Sequence, residues 1–311
     1  IKKKNEPADI STSGENAIAN KEVEGLSQGQ IVRRRFFRHR AAMISLVTII
    51  SITVMVFTAL DFKLFGVWKI PGWWKWTPED IPELRFEDCP GGTTGCPTFS
   101  IKPGSHFGLG THPFGQDDIG RDYFALVMNG ARRSLMIMFV IGAVSGFIGV
   151  VVGSISGFYG KKIDSVLMRL VDFLQTVPTI IIAAVIGKAA GRVGPLFLAL
   201  FLGLLGWTGL ARLVRAQFLS LREMEFVDAA RVAGASNIRI AFKHILPNAV
   251  GQIIVSVTLI MAGAILTETA LSYLGFGVVP PDVSLGLLIS QYESSFTTRP
   301  WLFWWPGFFI I

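Results

Sequence analysis

Four groups of side chains have the types and spacing that invite a chemical reading, and together they point away from catalysis. His39, His106, His112 and His244 are scattered along the chain, which argues against a shared metal ion, so no metal ligand set is expected. Gly160-Lys161 and Gly187-Lys188 lack the G-x4-G-K-S/T frame whose amides cradle nucleotide phosphates, so the chain should not hydrolyse ATP itself. Cys89 and Cys96 enclose Pro-Gly-Gly-Thr-Thr-Gly, a run that closes easily; a disulfide is expected in an oxidising compartment, with two free thiols as the alternative. The acids are the last group. Glu268 lies in an apolar run, where an ionisable group is a functional candidate by default. Glu225 and Asp228 open a charged stretch between two apolar ones. No nucleophile–base pair stands out, and no catalytic residue is expected.

The charged stretch, residues 225–247, carries Glu225, Asp228, Arg231, Arg239 and Lys243. Inside hydrocarbon each charge would cost about 2.5–3.5 kcal/mol, so the stretch faces water. Phe226, Ala229, Ala230 and Ala233 recur at helical spacing as an apolar stripe, and Asp228 is placed to pair with Arg231. Gly234 offers a left-handed exit and Ser236 a cap for a second helix. That helix repeats the stripe with Ile238, Ala241, Phe242 and Ile245 until Pro247 interrupts it. Ala229, Ala230 and Gly234 are small enough for another protein's groove to close on the helix. The chemistry suggested is docking.

The elements around it belong to a membrane protein. An apolar content of 51%, a charged content of 16% and a mean hydropathy of +0.51 do not suit a soluble globular chain. Residues 1–30 are polar, without the apolar core of a signal peptide, and read as a loosely held cytoplasmic tail. The basic, Phe-containing run at 33–40 suits an interfacial helix at anionic lipid headgroups rather than a nucleic-acid patch, so no nucleic acid is expected as a partner. Apolar runs follow at about 41–60, 134–157, 168–187, 195–211 and 249–270. Another opens at Trp301 and is too short to cross by Ile311, so a sixth span is expected to begin there. Gly142, Gly146, Gly149, Gly153 and Gly157 share one helical face and would admit a close helix neighbour. Pro178 predicts a kink in the third run. Asp172, near that run's start, reads as an acid hydrogen-bonded into the packing or as a functional group. Trp68, Trp73, Trp74 and Trp76, in the long 61–133 connection, suggest a segment resting at a membrane interface. Lys and Arg concentrate in 1–40, 158–169 and 212–247, whereas 188–195 and 271–300 hold only Lys188, Arg192 and Arg299. That bias puts the N-terminus and residues 225–247 in the cytoplasm. The expected parts are a tail (1–30), a basic helix with the first span (31–60), an external loop (61–133) and a core (134–311) containing the cytoplasmic segment 222–247.

Residues 225–247 resemble the EAA loop of ABC-importer permeases, whose pattern is E-A-A, three residues, Gly, nine residues, then I-x-L-P. Here it reads Asp228-Ala229-Ala230, Gly234, Leu246-Pro247, with Asp228 in place of Glu and His244 where the first Ile would stand. Three further stretches are similar to the oligopeptide and dipeptide branch. Gly115 to Asp122 matches G-T-D-x-x-G-R-D, and Thr267 to Gly277 matches E-T-x-L-S-F-L-G-F-G. Pro280-Pro281-Asp282-Val283-Ser284-Leu285-Gly286 matches P-P-D-x-S-L-G. The resemblance runs from about Arg33 to the last residue. It implies an all-α polytopic fold, the transmembrane domain of a type I ABC importer with six spans. It also implies a heterodimer with a second homologous permease, two cytoplasmic ABC ATPases and an external solute-binding protein, in the inner or cytoplasmic membrane of a bacterium. ATP and Mg would bind the ATPases, and this chain would hold no cofactor. Glu225, Asp228, Ala229, Ala230, Gly234, Leu246 and Pro247 would then couple to an ATPase. Glu268, Gly275, Gly277, Pro280 and Pro281 would belong to an external gate, unless Glu268 is only an acid hydrogen-bonded into helix packing. The 115–122 turn would be either an external surface near the docked binding protein or a locally paired turn. A peptide is the expected cargo, with nickel or another small solute as the alternative. A secondary transporter, a channel and a membrane enzyme are rival classes, for which the sequence offers only Glu268 as an intramembrane acid.

Overall fold

A run rich in Ile, Val and Ala behind a capping His39 makes the first helix. In the computed structural model, which describes residues 34, 36–64, 68–85, 89, 93–99 and 110–311, α1 covers Arg40–Ala59, and His39 Nδ1 accepts from the Ala42 amide at 3.2 Å. The expected tail at 1–30, and residues 31–33 and 35 of the basic run, lie outside the described residues. The chain divides into residues 1–55 and residues 56–311. In the first unit Ile44, Val47, Ile49 and Ile50 of α1 are exposed, as side chains meant for lipid would be. The second unit contains every other feature described below.

It opens with a small antiparallel ribbon, β1 (Phe62–Leu64) and β2 (Trp68–Ile70), paired Phe62 to Ile70. This ribbon is a minor addition to an otherwise helical chain. The following Trp residues do not simply rest at an interface. Trp74 packs on Phe124 and donates Nε1 to Asp122 Oδ2 at 2.8 Å, and Trp76 stacks on His112. A half-buried indole needs a partner for its N–H, and Asp122 supplies one.

Asp122 then caps α2 (Tyr123–Tyr159), its carboxylate accepting from the Ala125 amide at 2.9 Å. At 37 residues α2 is about 55 Å long, nearly twice the bilayer core. It begins well before the apolar run that signals it, because its first turns carry Arg132 and Arg133, which a hydropathy reading passes over. Its glycine face meets two helices of this same chain. Gly142 and Gly146 face Met261 and Val257, while Gly149, Gly153 and Gly157 face Leu210, Val214 and Phe218. A Cβ at Gly153 would stand 2.5 Å from the Ala211 carbonyl oxygen, so only Gly allows the two backbones to approach this closely.

The third run is broken rather than kinked. α3 (Lys161–Thr176) and α4 (Thr179–Val193) meet at 70°. Val177 between them is extended, as a residue before proline prefers, and Pro178 has no amide to continue the ladder. α5 (Pro195–Gly206) and α6 (Thr208–Arg222) bend by 42° at Trp207. Then come α7 (Glu225–Val232), the long α8 (Asn237–Tyr273), α9 (Leu285–Tyr292) and α10 (Trp301–Ile310). Among the described residues α1, α2 and α8 are long and apolar enough to cross a membrane. The two bent pairs bring the number to five, and α10 is a shorter apolar helix.

Candidate functional site

Residues 225–247 form the corner between α6 and the long run of α8. Met224 is extended at the start of α7, whose first turn carries Glu225 and Asp228 and whose last turn carries Arg231, an order that suits the helix dipole. Arg231 Nη1 donates to Asp228 Oδ1 at 2.9 Å, but both side chains are largely exposed, so the pair contributes at most about 1 kcal/mol. Gly234 has φ +78°, and the chain leaves α7 through paired bonds. The Gly234 amide donates to Arg231 O at 2.9 Å and the Ala235 amide to Ala230 O at 3.0 Å, the Schellman arrangement. Ser236 Oγ accepts from the Arg239 amide at 3.4 Å, a long cap on the next helix.

That helix does not stop at Pro247. Residues Ile240–Ile245 wind as a π turn, in which the Leu246 amide donates to Ala241 O, five residues back. The wider turn moves the carbonyls away from the pyrrolidine ring, and Asn248 Nδ2 adds a bond to His244 O at 2.6 Å. The proline is accommodated and α8 runs on to Tyr273. Leu246 is half-buried and Pro247 exposed.

The expected apolar stripes divide: Ala230, one of the small residues expected to dock, and Ile245 are buried in the chain's own packing, and most of the others face outward. In α7 the chain buries Val227 and Ala230, and in the next helix Ile240 and Ile245, packed with Leu210, Val214 and Phe218 of α6 and with Ala249 and Ile253. Phe226, Ala229, Ala233, Ile238 and Phe242 face outward instead. Both helices are apolar on two faces, and periodicity alone does not tell which one the chain covers itself. The outer face is conspicuous: Val232 is 91% exposed, Ile238 67% and Phe242 63%. Arg222 secures the corner from behind, donating Nη1 to the Gly157 and Phe158 carbonyls at the end of α2.

At the other end of the chain's helices, Glu268 is fully buried. It accepts from Ser272 Oγ at 2.7 Å and from Ser134 Oγ at 3.3 Å. Ser272 in turn accepts from the Val278 amide, Ser134 from the Leu285 amide, and Ser284, 3.4 Å from Ser272, from the Leu287 amide. The acid thus ties α2, α8 and the start of α9 together through hydroxyls. Gly275, φ +78°, ends α8 with the same pair of bonds that ends α7. Gly277 has no room for a Cβ beside Ser272. Pro280 and Pro281, joined by a cis bond, line a cavity of about 1050 Å³ together with Trp74, Arg121 and Arg133, the last paired with Asp282. The 115–122 turn is locally paired: buried Asp117 accepts from Arg121 Nε at 2.6 Å and from Tyr292 Oη at 3.1 Å. Asp172 pairs with Arg212, both side chains exposed. Cys89 and Cys96 are joined as a disulfide, Cα atoms 5.5 Å apart. Asp164 and Arg215, which the sequence did not single out, meet close to the docking corner; a charged residue on each of two separate runs gives no sign of its partner.

The comparisons with known proteins bear on both regions. Residues 149–311 match the model of the binding-protein-dependent transport system inner membrane component family. Residues 27–66 match the N-terminal transmembrane domain of oligopeptide transport permease C. The oligopeptide transport system permease protein OppC of Mycobacterium tuberculosis is 36% identical over 290 residues, covering 93% of this chain and 90% of the relative. OppC of Escherichia coli K12 is 34% identical over 297 residues, covering 96% and 89%. A solved inward-facing MetNI methionine ABC transporter aligns with a TM-score of 0.49 and 20% identity, over 60% of this chain and 88% of that one. On the family match and these relatives, the chain belongs to the binding-protein-dependent transport system inner membrane components, as an ABC-importer permease of the OppC type.

Proposed function

We infer that this chain is a permease subunit of an ATP-driven peptide importer. It forms half of a translocation path with a second, related permease and takes its driving motion from a cytoplasmic ATPase at residues 225–247. The observation that carries the coupling assignment is the set of exposed apolar side chains at the corner, Val232 on α7 and Ile238 and Phe242 at the start of α8, with Glu225, Asp228 and Arg231 also on α7. One face of the two helices is already packed on α6, so the other is free for a groove in the ATPase. The peptide cargo follows the names of the OppC relatives. Hydrolysis, with ATP and Mg, belongs to two partner ATPases, and delivery to an external binding protein. The Lys and Arg bias supports a reading with the N-terminus and the corner in the cytoplasm of a bacterial cell and the spans in its inner membrane.

The test is co-purification with the ATPase in the double variant Val232→Asp, Phe242→Asp. Both side chains are exposed here, so folding should survive. Burying an apolar side chain of this size contributes about 1.5–3 kcal/mol. Losing two such contacts should weaken ATPase binding by about a hundredfold or more. Retention equal to wild type would overturn the coupling assignment. Transport of labelled peptides by the complete importer in liposomes tests the cargo.

A further inference from the structure

A docked ATPase moves α7, but transport requires that movement to reach the spans, and the structure contains a junction suited to pass it on. α6 leads into α7 within three residues, and Val227 of α7 packs with Phe218 and Val214 of α6. The last turn of α2, the first turn of α3 and the middle of α6 converge on one carboxylate. Arg215 of α6 grips Asp164 of α3 with both arms of its guanidinium, Nε to Oδ1 at 2.5 Å and Nη2 to Oδ2 at 2.6 Å. Ser156 of α2 donates to Asp164 Oδ1 at 2.5 Å. The pair is mostly sheltered, with 17% of the Asp164 side chain and 33% of the Arg215 side chain exposed.

The junction continues along the two helices. Asp172 of α3 pairs with Arg212, and Gln175 Nε2 donates to Thr208 Oγ1 at 3.0 Å. Positions 164, 172 and 175 on α3 thus meet 215, 212 and 208 on α6, an antiparallel ladder over both helices. Between its rungs Val171 packs with Trp207 and Ala211. α6 also comes close to α2 backbone to backbone, Ala211 and Arg215 against Gly153 and Gly157. Just past the last rung, at Val177 and Pro178, α3 breaks from α4 by 70°.

We propose that α2, α3 and α6 move as one body when the ATPase displaces α7, that Asp164 is the positioning residue locking the three together, and that motion relative to α4 is taken up at the Val177–Pro178 break. The proposal rests on the reading of residues 225–247 as the ATPase contact. The exposed Asp172–Arg212 pair adds little hold by itself. The sheltered two-armed pair is the element to remove.

The experiment uses the complete importer, with its ATPases and binding protein, in liposomes, and reads ATP hydrolysed per peptide transported. Asp164→Asn should raise that ratio about tenfold while ATPase retention on the purified complex stays at the wild-type level. The exchange D164R with R215D should restore the ratio to within about threefold of wild type. An unchanged ratio in Asp164→Asn, or no recovery in the exchange, would overturn the proposal. A second measurement leaves Asp164 in place, in case its replacement prevents folding. Asp172→Cys and Arg212→Cys, both at exposed positions, are joined by a short bifunctional thiol reagent. Helices that move as one body tolerate the link, so transport within about twofold of the unlinked protein is expected. Transport abolished by the link would overturn the proposal. Loss of ATPase retention in the Val232 and Phe242 variant concerns the docking reading alone, so the two ideas fail separately.

Discussion

Replacing Gly234 separates backbone chemistry from packing at the coupling corner. Nothing lies within 4 Å of the place a Cβ would occupy there, so a side chain meets no obstacle. Its cost is conformational. At φ +78° an L-residue is about 1–2 kcal/mol worse off than glycine, more if β-branched, while asparagine tolerates the left-handed region. If the chain relaxes instead, it loses the bonds from Gly234 and Ala235 to the Arg231 and Ala230 carbonyls, and the outer face of α8 turns away from that of α7. A penalty of 1.4 kcal/mol is a factor of ten in the population of the formed corner. Stimulation of ATPase activity by the binding protein, measured in liposomes at equal insertion, should therefore fall in the order Gly, Asn, Ala, Val. The loss should be about tenfold at Ala and larger at Val. Wild-type stimulation in Gly234→Val would refute the reasoning. So would Asn faring as badly as Val, because that would make side-chain bulk the cause.

Three other outcomes are expected. Mass spectrometry of unreduced peptides should recover Cys89 linked to Cys96, and two alkylatable thiols in native membranes would reject the bridge. The double change of Glu225 and Asp228 to Ala should loosen ATPase binding about tenfold or more if the acids become buried in the contact, with a weaker salt dependence than wild type; equal retention across a salt series would leave the apolar face as the sole contact. Glu268→Gln should lower stability by about 1.5–3 kcal/mol, because an amide offers donors where the Ser134 and Ser272 hydroxyls, already accepting from backbone amides, also donate; an unchanged unfolding midpoint in detergent would reject the carboxylate's role as a hub.

What the sequence revealed was mostly local backbone chemistry. Gly234, Ser236 and Pro178 act through their own dihedral preferences and their own donors, so their types predict a hinge, a cap and an interruption wherever the chain goes next. The apolar runs likewise announce the helices in the membrane. What stayed hidden depends on contacts between distant parts. The choice of Val227 over Phe226 as the buried side of α7 is made by Phe218 and Ile240, and no periodicity contains them. The early start of α2 depends on Asp122 as a cap, in a stretch whose arginines resemble a loop. The Asp164–Arg215 pair joins residues 51 apart. Pro247 misled for a different reason: a proline forbids the ordinary ladder, but not a helix that changes its ladder.

That change of ladder bears on how the fifth span is phased. A helix advances about 100° of azimuth per residue, so losing one residue anywhere in a regular stretch rotates everything beyond it by that angle. The π turn at Ile240–Ile245 holds a surplus residue within nearly the same rise. It works as a vernier between the α7–α8 corner and the buried acid two dozen residues further on. Shortening the chain by one inside that turn would close it to an ordinary coil and leave Ile238 and Glu268 on their present bearings. The same deletion after Pro247 would swing Glu268 away from Ser134 and toward a different neighbour.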